Sequence, residues 1–318
     1  MTVPANWKDE NRTIQILTKA EKGRYGVIAA IAYNLEQIHS LVTAAEEARS
    51  PLIIQFFPWA VTYADGLLVR TAKEAVSRVS VPISIHLDHA QDEKIIQYAA
   101  DNLPFDSIMV DMSHYEKAEN LEKTAKWVKY CHERKIATEA EPGRIEGAED
   151  GVMDTAGLEA SKTTAEEVDE FIATGVDSLA PAFGNVHGEY GKLGPQLDFE
   201  RYVMSGRGAG YDFWISPPRN KDTDNEVCRF EKIRAQIAGR VRVALHGTNG
   251  FPPDLMKQCI AAGATKINVN RLVLDDYYTH LRSQVTRLPH TTLIEEGTSN
   301  VIRQTKEWME ICGSAGQA

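Results

Sequence analysis

Eight short apolar runs recur along the chain, separated by longer amphipathic segments. The runs are rich in β-branched residues and continuous rather than alternating, which is typical of parallel strands buried on both faces. They are GVIAAIAYN (26–34), SPLIIQFF (50–57), VPISIHLDH (81–89), DSIMVDMS (106–113), KIATEAEPG (135–143), VDSLAPAFG (176–184), RVRVALHG (240–247) and ATKINVN (264–270).

Helical patterns fill the intervals between these runs. Apolar residues spaced by three and four predict helices over 34–50, 65–80, 92–102, 118–135, 164–175 and 254–264. Eight strands that alternate with helices predict an α/β fold, a single-domain TIM (β/α)8 barrel over residues 1–318. A doubly wound sheet is the alternative, but it commonly carries a glycine fingerprint, and neither GxGxxG nor GxxxxGK[ST] occurs.

Charge and cysteine content narrow the class of protein. The formal net charge of −10 argues against broad nucleic-acid binding. The four cysteines are scattered without a CxxC pair, which indicates a reduced, intracellular protein. The polar N-terminus has no secretory h-region, and no stretch approaches the roughly 18 apolar residues of a membrane span. We therefore expect a cytoplasmic protein with neither a nucleic-acid nor a membrane partner.

Three segments depart from the strand–helix rhythm. Residues 142–163 are rich in Gly and acids, and a loop this long in a compact domain is usually functional or disordered. Residues 201–226 intrude after the sixth strand and are predicted to form a surface excursion. The C-terminal segment from 300 onward has two open interpretations, an interface helix or a frayed tail.

Polar residues cluster where the predicted strands end, which is where TIM barrels place their active sites. Packing alone does not account for the cluster, because buried acids and imidazoles need partners. Its members are Asn34, Asp88, His89, Asp111, Glu139, Glu141, His187, His246, Asn268 and Asn270.

Three histidines in this cluster predict a zinc site. His89, His187 and His246 end strands three, six and seven, so they converge across the barrel mouth. Neutral imidazole is a good zinc ligand, and catalytic zinc keeps a coordination position open for substrate or water. Asp88, which precedes His89 in HLDHA, is the first candidate for proton transfer.

Other polar residues are predicted to support that site. Asp111 and Glu139 are placed to orient the ligand rings by hydrogen bonds, although a purely structural hydrogen bond is the alternative for each. His86 is expected to support the ligands or the barrel structure rather than to bind the metal. Lys266 is the only obvious candidate for a Schiff-base lysine, and we expect it to pack or pair structurally.

From about residue 12 to residue 285, the chain resembles the class II, metal-dependent fructose-bisphosphate aldolases. The motifs that carry the resemblance are HLDHA, VDMSHYEKAENLEKT, EAEPGRIEGAEDG, FGNVHGEYG, HGTNG and INVN. The resemblance implies reversible aldol cleavage of a phosphorylated ketose such as fructose 1,6-bisphosphate, through a metal-stabilised enediolate. It also implies a homodimer.

The resemblance further implies a role for individual residues. Asp88 is similar to the proton donor and acceptor at the cleaved bond, and Glu149 to the mobile-loop base that deprotonates the α-carbon, which implies that residues 142–163 form a mobile catalytic loop. Gly188 resembles a backbone ligand of phosphate or of a monovalent cation. The implied zinc ligands are His89, His187, His246 and Glu141, the last near or on the metal. The predicted substrate-binding residues are Asn34, Gly188, Lys192, Gly247, Asn249, Asn268, Asn270 and Arg271.

The chain departs from the family pattern around the phosphate sites. The departures are Phe57 for a usual Ser, Thr248 and Asn249 for Gly and Ser in HGGSG, Asn270 and Arg271 for Asp-Thr, and Lys192 displaced by one residue. Arg271 offers a bidentate phosphate contact, which Thr cannot. The substrate is therefore open between fructose 1,6-bisphosphate and another hydroxy-ketone or hydroxy-keto acid.

Two further functions are compatible with the same residues. One is a zinc hydrolase in which Asp88 activates metal-bound water, because the fold alone does not determine the chemistry. The other is a metal- or sugar-phosphate-binding relative without turnover. Glu149 favours the aldolase, since a hydrolase needs no second remote base on a loop.

Overall fold

The computed structural model describes residues 4, 6–147, 161–192, 194–195, 197–198, 233, 236–237 and 239–318. Within these residues, eight parallel strands close into a barrel in the sequence order β1 to β8. The strands are β1 Val27–Ile31, β2 Leu52–Phe56, β3 Ile83–Ala90, β4 Ser107–Val110, β5 Ala137–Ala140, β6 Ser178–Leu179, β7 Arg242–Leu245 and β8 Ala264–Val269. The closed parallel barrel confirms the predicted TIM fold and excludes the doubly wound sheet.

The strands are buried on both faces, as their continuous apolar sequences predict. Two strand positions are only partly buried, Arg242 at the start of β7 and Asn268 near the end of β8. Seven strands lie inside the predicted runs, and β3 extends one residue beyond its run, to Ala90.

Helices follow most strands and cover the outside of the barrel. They are α1 Trp7–Glu10, α2 Arg12–Gly23, α3 Leu35–Ala48, α4 Pro58–Thr62, α5 Leu67–Val76, α6 Glu93–Asn102, α7 Lys117–His132, α8 Ala165–Ala173, α9 Pro253–Ala261, α10 Arg271–Gln284 and α11 His290–Ile311. Several begin at side-chain caps; for example, Thr164 and Glu167 form a capping box at α8. None of the helices within the described ranges combines the length and the apolar character needed to cross a lipid bilayer.

Helix α2 covers the amino-terminal end of the barrel. The Asn11 side chain, which caps α2, donates hydrogen bonds to the carbonyl oxygens of Asp106 and Lys135. Thr13 bonds to Ser107 at the start of β4, with 2.9 Å between the hydroxyl oxygens. The opposite end, where the carboxyl ends of the strands meet, is left for a site.

The C-terminal helix α11 packs within the chain, mainly against α10 and α3. Val301 and Met309 are fully buried in this contact. Beyond the helix, the Cys312 carbonyl accepts a hydrogen bond from the Gly26 amide, just before β1. Of the two interpretations of this segment, the frayed tail is therefore wrong.

Candidate metal centre and active site

An irregularity in β3 brings two functional side chains to one face. The pairing of β3 with β4 shifts register between Leu87 and Ala90, and His89 has a left-handed backbone with φ of 48°. Consecutive residues of a regular strand point to opposite faces. Here Asp88 and His89 both line the same cleft at the barrel mouth. Such backbone strain in a non-Gly residue costs about 1–3 kcal/mol and is typical of functional sites.

Four buried side chains converge beside this irregularity. His89, Glu141, His187 and His246 each offer one ligand atom, and these atoms lie within 4.8 Å of one another. His89 Nε2 and His246 Nδ1 are 3.1 Å apart. Glu141 Oε2 and His187 Nε2 are buried without a hydrogen-bond partner among the described residues. These are the four ligands expected from the sequence.

The arrangement fits a zinc ion. Tetrahedral ligands at the usual zinc–nitrogen and zinc–oxygen lengths of about 2.0–2.2 Å lie roughly 3.3–3.6 Å from each other. His89 Nε2 and His246 Nδ1 are near that separation at 3.1 Å, and all four ligand atoms lie within 4.8 Å of one another. Glu141 and His187 each also have a buried polar atom with no partner among the described residues. Buried polar atoms without partners are costly, so a cation in their midst would satisfy them.

Acidic groups fix the orientation of two of the imidazole rings. Asp111 Oδ2 lies 2.8 Å from His89 Nδ1, which leaves Nε2 facing the other ligands. Glu139 Oε1 lies 2.9 Å from His246 Nε2, which leaves Nδ1 facing them. Lys266 Nζ donates to the same Glu139 oxygen at 3.0 Å, so this lysine is buried in an ion pair, as expected.

The charges of these groups are strongly coupled in the metal-free protein. Burial lowers the pKa of His89, but the carboxylates of Asp88 and Asp111 outweigh it and raise that pKa to about 10. Burial and the Asp111 carboxylate raise the pKa of Glu141 to about 8. Burial and the positive charge of His89 hold the pKa of His187 well below its usual range.

Asp88 is held by one oxygen and presents the other. Its Oδ2 accepts hydrogen bonds from Gln55 Nε2 and Asn268 Nδ2, each at 3.1 Å. Its Oδ1 is buried, has no hydrogen-bond partner within the described part of the chain, and lies 3.8 Å from His86 Nε2. Burial raises the pKa of Asp88, but the positive charges of His89 and Lys266 outweigh it and hold that pKa well below its usual range. The geometry therefore offers an ionised carboxylate with one free oxygen.

His86 lies one layer below Asp88, inside the barrel. Its Nδ1 bonds to Ser107 Oγ at 2.7 Å, and Ser107 in turn contacts Thr13 of α2. His86 is fully buried and outside the four convergent side chains. This position agrees with its expected supporting role.

Several predicted substrate-binding residues line the same cleft. Gly247, Asn249, Asn268 and Asn270 all lie on its wall, at the ends of β7 and β8. Asn270 Nδ2 donates to the Tyr33 hydroxyl at 3.0 Å.

The other predicted substrate-binding residues lie at or beyond the rim. Arg271 begins α10 and pairs with Asp275 and Glu189. Gly188 directly follows His187 with φ of 83°, and Lys192 is exposed. The side-chain oxygen of Asn34 caps α3 by accepting a hydrogen bond from the Gln37 amide, and its side-chain nitrogen donates a hydrogen bond to the Tyr277 hydroxyl.

Sequence reasoning missed one residue of the site, Gln55. It is a fully buried amide in the otherwise apolar strand β2, and it donates to Asp88. A polar residue inside the run LIIQFF was the available signal. Glu149 and the excursion at 201–226 lie outside the described residues. Of the predicted catalytic loop, the structure describes residues 142–147 and 161–163, and Gly147 lies beside the His187 backbone.

Comparison with known proteins agrees with this geometry. Residues 11–317 match the family described as fructose-bisphosphate aldolase class-II. A Coccidioides immitis (strain RS) protein, provisionally named a fructose-bisphosphate aldolase, is 45% identical over 315 residues, 97% of this chain and 95% of that protein. The fructose-bisphosphate aldolase of Geobacillus stearothermophilus is 33% identical over 261 residues, 80% of this chain and 79% of the relative.

A solved structure extends the likeness to three dimensions. A crystal structure of a Coccidioides immitis protein, provisionally named a fructose-1,6-bisphosphate aldolase, has a TM-score of 0.87 and 46% identity. The likeness covers 97% of this chain and 98% of that one. The barrel, the family match and these relatives together establish that the chain belongs to the class II fructose-bisphosphate aldolases, which are lyases.

Proposed function

We propose that this aldolase uses one zinc ion to cleave, reversibly, a phosphorylated ketose such as fructose 1,6-bisphosphate. The observation that carries the proposal is the juxtaposition of four convergent ligand atoms with the free oxygen of Asp88. An aldolase of this kind needs an electrophile that polarises the carbonyl oxygen of the substrate and a carboxylate that accepts its hydroxyl proton.

The residues that would hold the ion are His89, His187, His246 and Glu141. When bound, zinc supplies a Lewis acid that polarises the carbonyl oxygen of the substrate. Asp111 and Glu139 fix which nitrogen of His89 and of His246 is presented to the site.

Asp88 is proposed to accept the hydroxyl proton as the carbon–carbon bond breaks, and to return it in the condensation direction. Gln55 and Asn268 hold Oδ2, so the carboxylate cannot turn away while Oδ1 acts. The low pKa of Asp88 keeps it ionised before the reaction, as a proton acceptor must be.

Glu149 is proposed as the second proton-transfer group, at the α-carbon of the ketone product. Support for this role comes from its place in the Gly-flanked sequence GAEDG within the predicted catalytic loop. A base on such a loop would reach the substrate only after binding and would then help to exclude water.

The phosphate of the substrate is proposed to bind beside the ends of β7 and β8. Phosphate sites in TIM barrels are commonly built there, and Gly247, Asn249 and Asn270 line this wall. Arg271 and Lys192 supply positive charge at the rim. Gly188 is proposed as a backbone ligand for phosphate or a monovalent cation, and Asn34 and Asn268 as contacts to the carbon chain.

Two broader properties stay predictions from the family resemblance and composition. The chain is proposed to form a homodimer, which sedimentation at several protein concentrations would test. A cytoplasmic location is proposed, which cell fractionation would test.

Cleavage of fructose 1,6-bisphosphate before and after chelation tests the proposed chemistry. We expect turnover in the zinc-loaded protein, loss of turnover on chelation, and recovery when zinc is returned. Robust cleavage that a chelator leaves unchanged would contradict the metal-dependent mechanism.

A further inference from the structure

The cleft at the barrel mouth has two chemically different walls. On the side of β7 and β8 it is lined by Thr248, Asn249 and Asn270, which offer hydroxyl, amide and backbone groups. On the side of β1 and β2 it is lined by Ile31 and Phe57, and by Gln55, whose side-chain nitrogen already donates to Asp88 Oδ2. One wall therefore suits an anion, and the other suits an uncharged group.

Phe57 is held firmly in the apolar wall. It is only 3% exposed and follows β2 directly. Its ring centroid lies 6.2 Å from that of Tyr33 and 6.3 Å from that of the ligand His89. Contacts on both sides leave the ring little freedom to move away from a substrate.

The described chain on the β1 and β2 side of the cleft places no Lys or Arg there to bind a phosphate. Residues 26–68, all of which the structure describes, contain a single Lys or Arg, Arg49. Arg49 follows the C-terminus of α3 and bonds to Ser80, before β3, at the opposite end of the barrel from the cleft.

The position of Asp88 indicates which end of a substrate meets this wall. The substrate's direction along the cleft is set by two points. Its phosphate lies beside β7 and β8, and its reacting hydroxyl lies at Asp88 Oδ1. Strand β3, which carries Asp88, pairs with β2, with Phe56 opposite Leu87. A carbon chain that continues past Asp88 therefore ends beside Phe57. A second phosphate there would lose water, and the described residues 26–68 on that side would offer it no cationic partner.

We propose that the chain prefers ketose 1-phosphates, whose distal end is uncharged, over ketose 1,6-bisphosphates, and that Phe57 determines this preference. The inference rests on the proposed aldolase function. In the cleavage step the bond between C3 and C4 breaks, and the C4 hydroxyl proton passes to Asp88. The C3 carbon gains a proton from solvent and Asp88 releases the proton that it took, so that an uncharged aldehyde and a three-carbon ketone phosphate are the only products.

The test compares kcat/KM for fructose 1-phosphate and fructose 1,6-bisphosphate with the zinc-loaded full chain. We expect the monophosphate to be favoured by about tenfold or more, because a charged group that is buried without a partner carries its full desolvation penalty. Phe57→Ser, which opens the wall and adds a hydroxyl, should lower that ratio by about tenfold. Phe57→Leu keeps the wall apolar and should retain the wild-type preference, as should the exposed-surface control Tyr63→Ser.

A wild-type preference for the bisphosphate, or a ratio unchanged by Phe57→Ser in a folded protein, would overturn the inference. Dissociation constants for the two sugars, measured with Asp88→Asn, separate this inference from the proposed function. If the wild type cleaves neither sugar, the proposed function fails. Tighter binding of the monophosphate would then still support the Phe57 inference, and tighter binding of the bisphosphate would overturn it.

Discussion

At the scale of single residues, the chemistry depends on how side chains are held. Asp88 keeps one oxygen free because Gln55 and Asn268 occupy the other. His89 faces the other metal-binding atoms because Asp111 holds its Nδ1. Each functional group thus has one atom committed to the protein and one available to a ligand.

Replacement of Asp88 should separate catalysis from metal binding. In Asp88→Ala we expect kcat to fall by about 10²–10⁴, the usual contribution of a positioned acid or base. Zinc content should stay at about one ion per chain, because Asp88 is not among the four convergent ligands. Steady-state kinetics measures kcat and metal analysis measures the zinc content, with Asp254→Asn at an exposed position as the control. Activity that survives would show that another group transfers the proton.

Asp111→Asn should weaken zinc binding without removing a ligand. The amide is a poorer acceptor for His89 Nδ1, so the ring is less well oriented. Loss of such a supporting hydrogen bond typically costs about 10–100-fold in metal affinity. Competition with a coloured chelator measures the affinity, and Asp9→Asn, an exposed carboxyl in α1, is the control. An unchanged affinity would assign Asp111 a purely structural role.

Zinc binding should release protons. At pH 7 the metal-free protein holds a proton on His89, with pKa about 10, and on Glu141, with pKa about 8. His187 and His246 are neutral, because burial above all lowers the pKa of each. Ligands must lose their protons to bind a metal, so about two protons should leave at pH 7.

The sign of the pH dependence follows from this release. Zinc affinity should rise with pH, steeply below about 8, less steeply between about 8 and 10, and then level off. Calorimetry in buffers of different ionisation enthalpy measures the proton count directly. Binding without proton release would contradict the proposed ligand set.

At the scale of elements, tight backbone turns at the strand ends bring the ligands together. Gly247 follows His246, a proposed ligand, with φ of 66°. A Cβ there would collide with the Val186 backbone, next to the proposed ligand His187. The Tyr190 hydroxyl also donates to the Gly247 carbonyl at 2.6 Å. This close approach joins the turns after β6 and β7.

Gly247→Ala should therefore damage the metal site, and Gly250→Ala in the same turn should not. Both glycines have left-handed backbones, but a Cβ at Gly250 meets nothing within 4 Å. We expect both variants to lose about 1 kcal/mol of unfolding free energy from backbone strain. Only Gly247→Ala should lose more and bind zinc more weakly, as measured by chemical denaturation and zinc titration. Equal effects would show that the close packing is unimportant.

At the scale of the whole molecule, the barrel was predictable because it depends on a repeated local pattern. Continuous β-branched runs identified all eight strands, and polar residues at their ends identified the ligand cluster. The register shift in β3 was not predictable, because it arises from pairing with β4 rather than from HLDHA itself. The hydrogen bond from Gln55 to Asp88 joins two strands, so local sequence could not predict it. The position of α2 could not be predicted either, because this helix lies outside the strand–helix repeat.

Asn34 shows the limit of the reasoning from sequence in another way. The family resemblance implies that Asn34, at the end of β1, contacts the substrate, and in the structure its side-chain oxygen caps α3. Capping and substrate binding favour the same residue types at strand–helix junctions. Sequence alone does not separate the two roles.

Zinc titration of the metal-free protein, with ketose phosphate cleavage as the readout, tests the central claim most directly. The account predicts no turnover without metal, a linear rise, and a sharp break at about one zinc ion per chain. In His187→Ala, which removes one of the four convergent ligands, that break should disappear. Full turnover in the metal-free protein, or an unchanged titration in the variant, would contradict the account.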